Sequence, residues 1–127
     1  MKAKILVAED DLFLVKAYQA KLTKEGWEVA IAINGEEAMH KVRSEKPDLI
    51  LLDLVMPKKD GFEVLEELKD DKDLSKIPVI ILSNLGQESD VERGKALGAV
   101  DYIIKTDLSI QNLVKKIKEI LAKYKAK

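Results

Sequence analysis

Cysteine is absent from this 127-residue sequence, which removes disulfides, thiolate metal sites and thiol catalysis together. Three prolines and six glycines are too few for a fibrous or low-complexity chain. The one histidine, His40, lies between Met39 and Lys41 inside a helical pattern and reads as solvated. An excess of either charge is also missing: 22 Lys plus Arg face 23 Asp plus Glu, a net charge of -1, so no basic field argues for direct nucleic-acid binding. No apolar run approaches the ~20 residues of a membrane helix, and Glu9, Asp10 and Asp11 interrupt the first one too early for a signal peptide. The expected location is the cytoplasm, without membrane insertion. What remains is 46% apolar and 35% charged, a length and balance suited to one well-buried core, expected as a single domain over residues 1–127.

The apolar pattern alternates between two periods. Lys4 to Ala8 (KILVA) is a short run flanked by charge, as in a strand covered on both faces. From Leu12 the spacing of Leu14, Val15, Tyr18 and Leu22 is helical, up to a cap at Gly26. Glu28 to Ile33 predicts a second strand, at an edge of the sheet. Asn34 and Glu37 predict a capping box for a helix that Pro47 stops, with Ala38 and Val42 inward. Asp48 to Asp53 is the third strand, followed by a helix from Gly61 that buries Val64, Leu65 and Leu68. Val79 to Ser83 is the fourth strand, and Ser89 with Glu92 predicts a cap opening a short helix to Leu97. Val100 to Lys105 is the fifth. Ile110, Leu113, Val114, Ile117, Ile120, Leu121 and Tyr124 trace the apolar face of the last helix. Strands alternating with helices predict an α/β parallel sheet wound on both faces, with right-handed crossovers.

In such sheets ligands bind outside the carboxyl ends of the strands, so the residues at the strand exits are the candidates for function. The exits carry Glu9, Asp10 and Asp11; Asp53; Ser83 and Asn84; and Lys105. Asp53 stands out because the apolar run Leu49 to Leu52 delivers it into surroundings that desolvate a carboxylate, which therefore needs compensation. Carboxylates crowded near it would raise a pKa or recruit a cation. The donors are all hard oxygens, which favours Mg2+ or Mn2+. A lysine and a hydroxyl facing that metal make a site for a tetrahedral anion, most plausibly phosphoryl, whose transfer asks for little beyond alignment and charge neutralisation. Asp53 is the best candidate nucleophile, since an aspartate is ionised at neutral pH and needs no general base.

The stretches KILVAEDD, LILLDLVMPKKDG (Leu49 to Gly61), IPVIILS and GAVDYIIK, in this order and spacing, resemble a response-regulator receiver domain of the chemotaxis-regulator type, end to end. The resemblance implies a flavodoxin-like five-fold strand-helix sandwich with strand order 2-1-3-4-5. It implies that Asp53 is phosphorylated by a partner histidine kinase or histidine phosphotransfer protein. Asp10, Asp53 and the backbone carbonyl of Val55 would be direct Mg2+ ligands, with Glu9 acting through water. Ser83 and Lys105 would hold the phosphoryl oxygens, and Tyr102 would rotate inward when Ser83 moves toward the phosphate. The domain would be a phosphoacceptor that assists its own phosphotransfer and dephosphorylation rather than an enzyme with a free substrate. Its output would pass to a downstream protein through a face made of the fourth helix, fifth strand and last helix, with no effector domain on the chain.

Several positions depart from the family pattern. Thr106 follows Lys105 where a proline across a cis bond is usual, and cis before a non-proline costs ~2.5–4 kcal/mol, which leaves the isomer open. Asn84 replaces a small residue after Ser83. Val55 and Leu85, at positions associated with phosphate lifetime, are apolar and cannot orient a water, which predicts slow self-dephosphorylation. Gly94 inside the fourth helix reads as a weakness that lets it repack. A flavodoxin-type FMN binder would share the fold, but Glu9, Asp10 and Asp11 would repel its phosphate. A haloacid-dehalogenase-type phosphatase would place a second aspartate where Val55 stands. A receiver-shaped adaptor that is never phosphorylated is the remaining alternative.

Overall fold

The computed structural model describes residues 2–125. Five parallel strands, β1 (Lys4–Ala8), β2 (Glu28–Ala32), β3 (Leu49–Leu52), β4 (Val79–Ser83) and β5 (Asp101–Ile104), form one sheet in the order β2-β1-β3-β4-β5. Four helices connect them, α1 (Leu12–Lys24), α2 (Gly35–Glu45), α3 (Gly61–Asp70) and α4 (Glu88–Ala96), and α5 (Ile110–Lys125) follows β5. The expected strand order and edge position of β2 are therefore those observed.

Strand alternation explains why the central runs are apolar throughout. Leu6, Ala8, Ile50, Leu52, Val79 and Ile81 point to one face, where Ala38, Met39 and Val42 of α2 and Phe62, Val64, Leu65 and Leu68 of α3 cover them. Ile5, Val7, Leu49, Leu51, Ile80 and Leu82 point to the other, under Tyr18 and Leu22 of α1 and Leu113, Val114, Ile117 and Leu121 of α5. β3 and β4 are buried at every position, as parallel strands between two helical layers must be. Trp27 packs against the α1 and α5 side, and His40 is exposed on α2.

Several local expectations need correction. β2 ends at Ala32, leaving Ile33 exposed and its N–H donating to Glu37 Oε1 at 3.2 Å. Asn34 does cap α2, accepting from Glu37 N–H at 2.8 Å, but Glu37 reaches one residue further back than a capping box requires. The reciprocal box occurs instead at Asp60 and Glu63, opening α3. Ser89 is not a cap: α4 starts at Glu88 after Gln87, which makes no side-chain capping bond, so Ser89 sits inside the first turn. Every peptide bond among the described residues is trans, Lys105–Thr106 included, and a short 3-10 turn covers Lys105–Asp107.

Candidate functional site

Strand register brings the candidate residues to one rim. Ala8 pairs with Leu52 across β1 and β3, and Asp53 N–H donates to the Ala8 carbonyl at 3.0 Å, so the residues that leave these strands, Glu9 and Asp53, emerge side by side. Ser83 pairs with Ile104 across β4 and β5, which sets Lys105 one step beyond Ser83 at the same end of the sheet. Carboxylate oxygens of Glu9, Asp10 and Asp53 lie within 4.8 Å of one another. Glu9 and Asp53 are 3% and 6% exposed, whereas Asp10 faces solvent.

The acidic triplet divides by role. Asp11 caps α1, its carboxylate accepting from Phe13 and Leu14 N–H groups at 3.0 and 3.4 Å. Glu9 turns inward and accepts from Asp11 N–H at 3.1 Å. Its other oxygen pairs with the Lys105 ammonium, which also donates to Asp53 Oδ2 at 3.1 Å. This ion pair of Lys105 with Glu9 is not legible in the sequence, because 96 residues separate its members. Burial pushes the Glu9 carboxyl up to about 7, against the opposing pull of Lys105 and the Asp11 N–H, and the nearby Asp53 charge adds to the rise. Burial also works against the Lys105 ammonium, but Glu9 and Asp53 outweigh it and hold its pKa above the usual lysine value.

One ammonium therefore joins two of the three carboxylates, Glu9 and Asp53. A divalent cation suits this cluster, because the donors are hard oxygens and its charge would compensate carboxylates that burial desolvates and that repel one another. Glu9, Asp10 and Asp53 are the side chains that could hold it.

The remaining candidates lie around this cluster. Ser83 is fully buried, and its Oγ accepts from Leu85 N–H at 3.2 Å. Tyr102 is half-buried and donates its hydroxyl to the Leu85 carbonyl. Val55 is 60% exposed, its N–H 3.4 Å from Asp53 Oδ1, and Asn84 is exposed beside Ser83. Two helical glycines, Gly61 at the start of α3 and Gly94 inside α4, allow close approaches near the site. A Cβ at Gly61 would stand 2.4 Å from the Asp53 carbonyl oxygen and 2.7 Å from Leu54 Cα, and one at Gly94 would stand 2.5 Å from Ile81 Cδ1. Gly94 thus has a packing reason to be glycine, where helix propensity alone suggested a weak point.

Comparison with known proteins follows the same outline. A family model described as response regulator receiver domain matches residues 5–118. The "Probable transcriptional regulator ycf27" of Pyropia yezoensis is 40% identical over 120 residues, 94% of this chain and 48% of that protein. Protein PilH of Pseudomonas aeruginosa is 39% identical over 120 residues, 94% of this chain and 98% of PilH. The chain thus spans about half the length of the first of these relatives and nearly all of the second. The solved structure of the phosphorylated cyanobacterial phytochrome response regulator RcpA is similar at a TM-score of 0.85 and 38% identity, covering 96% of this chain and 95% of that one. With a family match over most of its length and a relative of its own size, the chain belongs to the response regulator receiver domains of two-component signalling.

Proposed function

We propose that Asp53 accepts a phosphoryl group from a phosphohistidine on a partner histidine kinase or histidine phosphotransfer protein. The observation that carries this reading is the rim itself: three carboxylates with oxygens within 4.8 Å of one another, and one lysine joining two of them. An oxygen of the Asp53 carboxylate forms the new O–P bond while the P–N bond of the donor breaks, and the leaving imidazole keeps the electron pair and takes a proton. Glu9, Asp10, Asp53 and the Val55 carbonyl would hold Mg2+ or Mn2+, which supplies charge neutralisation for the transferring phosphoryl oxygens. Lys105 exchanges its bond to the Asp53 carboxylate for a phosphoryl oxygen, and the Ser83 hydroxyl donates to another. Because Leu85 N–H rests on Ser83 Oγ and the Leu85 carbonyl accepts from Tyr102, movement of Ser83 reaches β5 through two hydrogen bonds. The outcome is a population shift in the face formed by α4, β5 and α5, read by a downstream protein.

The test is incubation with acetyl phosphate, with and without Mg2+, followed by intact mass measurement. A metal-dependent phosphate adduct is expected, and it should vanish in Asp53→Asn. Absence of any adduct in the wild type would overturn the reading and favour a receiver-shaped adaptor.

A further inference from the structure

Gly35 opens α2 and is buried, yet its φ lies outside the left-handed region that would by itself call for glycine. Its reason is a close approach. A Cβ on residue 35 would stand 1.9 Å from the carbonyl oxygen of Lys59 and 2.5 Å from the carbonyl carbon, both backbone atoms that cannot swing away as a side chain would. Gly35 N–H also faces the Pro57 carbonyl at 3.5 Å. The segment seated there is strained. Lys58 has φ 69, left-handed for a residue with a side chain, and Lys59 N–H donates to the Pro57 carbonyl two residues back at 2.8 Å, a γ-turn of the rarer hand. Such a turn persists only where its surroundings over-determine it. Here the Lys59 ammonium pairs with Glu67, Gly61 N–H donates to the Leu54 carbonyl at 2.9 Å, and the start of α2 closes the remaining side. This turn is the returning arm of the loop whose outgoing arm carries Asp53 and Val55.

We propose that Gly35 is a positioning residue for the rim: by leaving room for the Lys59 carbonyl it seats the Pro57–Lys59 turn on α2 and holds the Asp53–Val55 arm in its cation-binding shape. The cation part rests on the proposed function, while the seat itself does not. The loop can be displaced from either side. Gly35→Ala pushes the turn off α2, and Lys58→Val, at an exposed position, disfavours φ 69 with Gly35 left intact. Gly26→Ala is the control, since its φ of 95 makes a side chain costly while nothing lies within 4 Å of the added Cβ.

Two readouts decide the matter: Mn2+ titration followed by electron paramagnetic resonance of the free ion, and amide exchange over residues 54–60 without metal. Gly35→Ala and Lys58→Val are expected to weaken Mn2+ binding at least tenfold and to speed exchange in the loop, whereas Gly26→Ala lowers the melting temperature and leaves both unchanged. Mn2+ affinity and loop exchange within twofold of wild type in Lys58→Val or in folded Gly35→Ala would overturn the proposal. If the wild type binds no Mn2+, the proposed function fails, and loop exchange still decides whether the seat exists.

Discussion

Glu9 and its neighbours concentrate the chemistry at the scale of single residues. A carboxyl raised by burial to about 7 is favoured in its neutral form by folding, so its contribution to stability is complete below pH ~4.5 and is lost as pH rises through about 7. The metal-free protein should therefore lose stability relative to Glu9→Gln between pH 5 and 8, measured as the difference in melting temperature at each pH. A difference that stays constant across that range would show that Glu9 does not titrate there. The rim positions Val55 and Leu85 bear on phosphate lifetime. Val55 is largely exposed and Leu85 partly so, and neither can orient a water for attack on an acyl phosphate. Val55→Asn with Leu85→Glu should shorten the half-life of the Asp53 phosphate by about tenfold or more, a smaller gain than the ~100-fold or more of a fully positioned acid or base. An unchanged half-life, followed by intact mass after donor removal, would assign water positioning to another group, with exposed Asn84 the first to examine.

The fourth helix carries the clearest contrast between pattern and packing at the scale of elements. Along α4 only Gly94 is buried, and the helix lacks a side-chain N-cap. It is held to α3 by the Arg93 guanidinium stacked 4.1 Å from the Phe62 ring centroid and by Lys69 Nζ donating to the Ala96 carbonyl at 3.2 Å. Helix propensity alone favours Gly94→Ala by roughly 0.5–1 kcal/mol. The new methyl would stand 2.5 Å from fully buried Ile81 Cδ1 and 3.2 Å from Tyr102 Cδ2, and overpacking of this kind costs about 1–3 kcal/mol. Net destabilisation in urea unfolding is expected, with altered exchange in α4. A gain in stability would mean that α4 shifts outward at little cost, which would itself mark the helix as loosely held.

At the scale of the whole molecule, the sheet lies between two apolar layers and ends in a rim of loops, and the proposed signal has to cross from Asp53 to α4, β5 and α5. Beryllofluoride with Mg2+ should change amide exchange in that face more than in α1 and α2, and identical exchange with and without it would refute the proposed output face. The architecture was legible in the order of residues because strand alternation, helical periodicity and short connections are local properties, each read within a few residues. The carboxylates, hydroxyl and lysine at the strand exits were legible for a related reason: in a parallel sheet every strand ends at the same edge, so sequence position after a strand is already a spatial address. Contacts between distant segments are not encoded in that way. The pairing of Lys105 with Glu9, the division of the acidic triplet into two rim residues and the Asp11 cap, and the close approaches at Gly35, Gly61 and Gly94 depend on register and on distances between segments brought together only by folding. A missing side chain has no signature in periodicity or charge, so the three glycines acquire a meaning only when the backbone or side-chain atoms that would collide with them are in place.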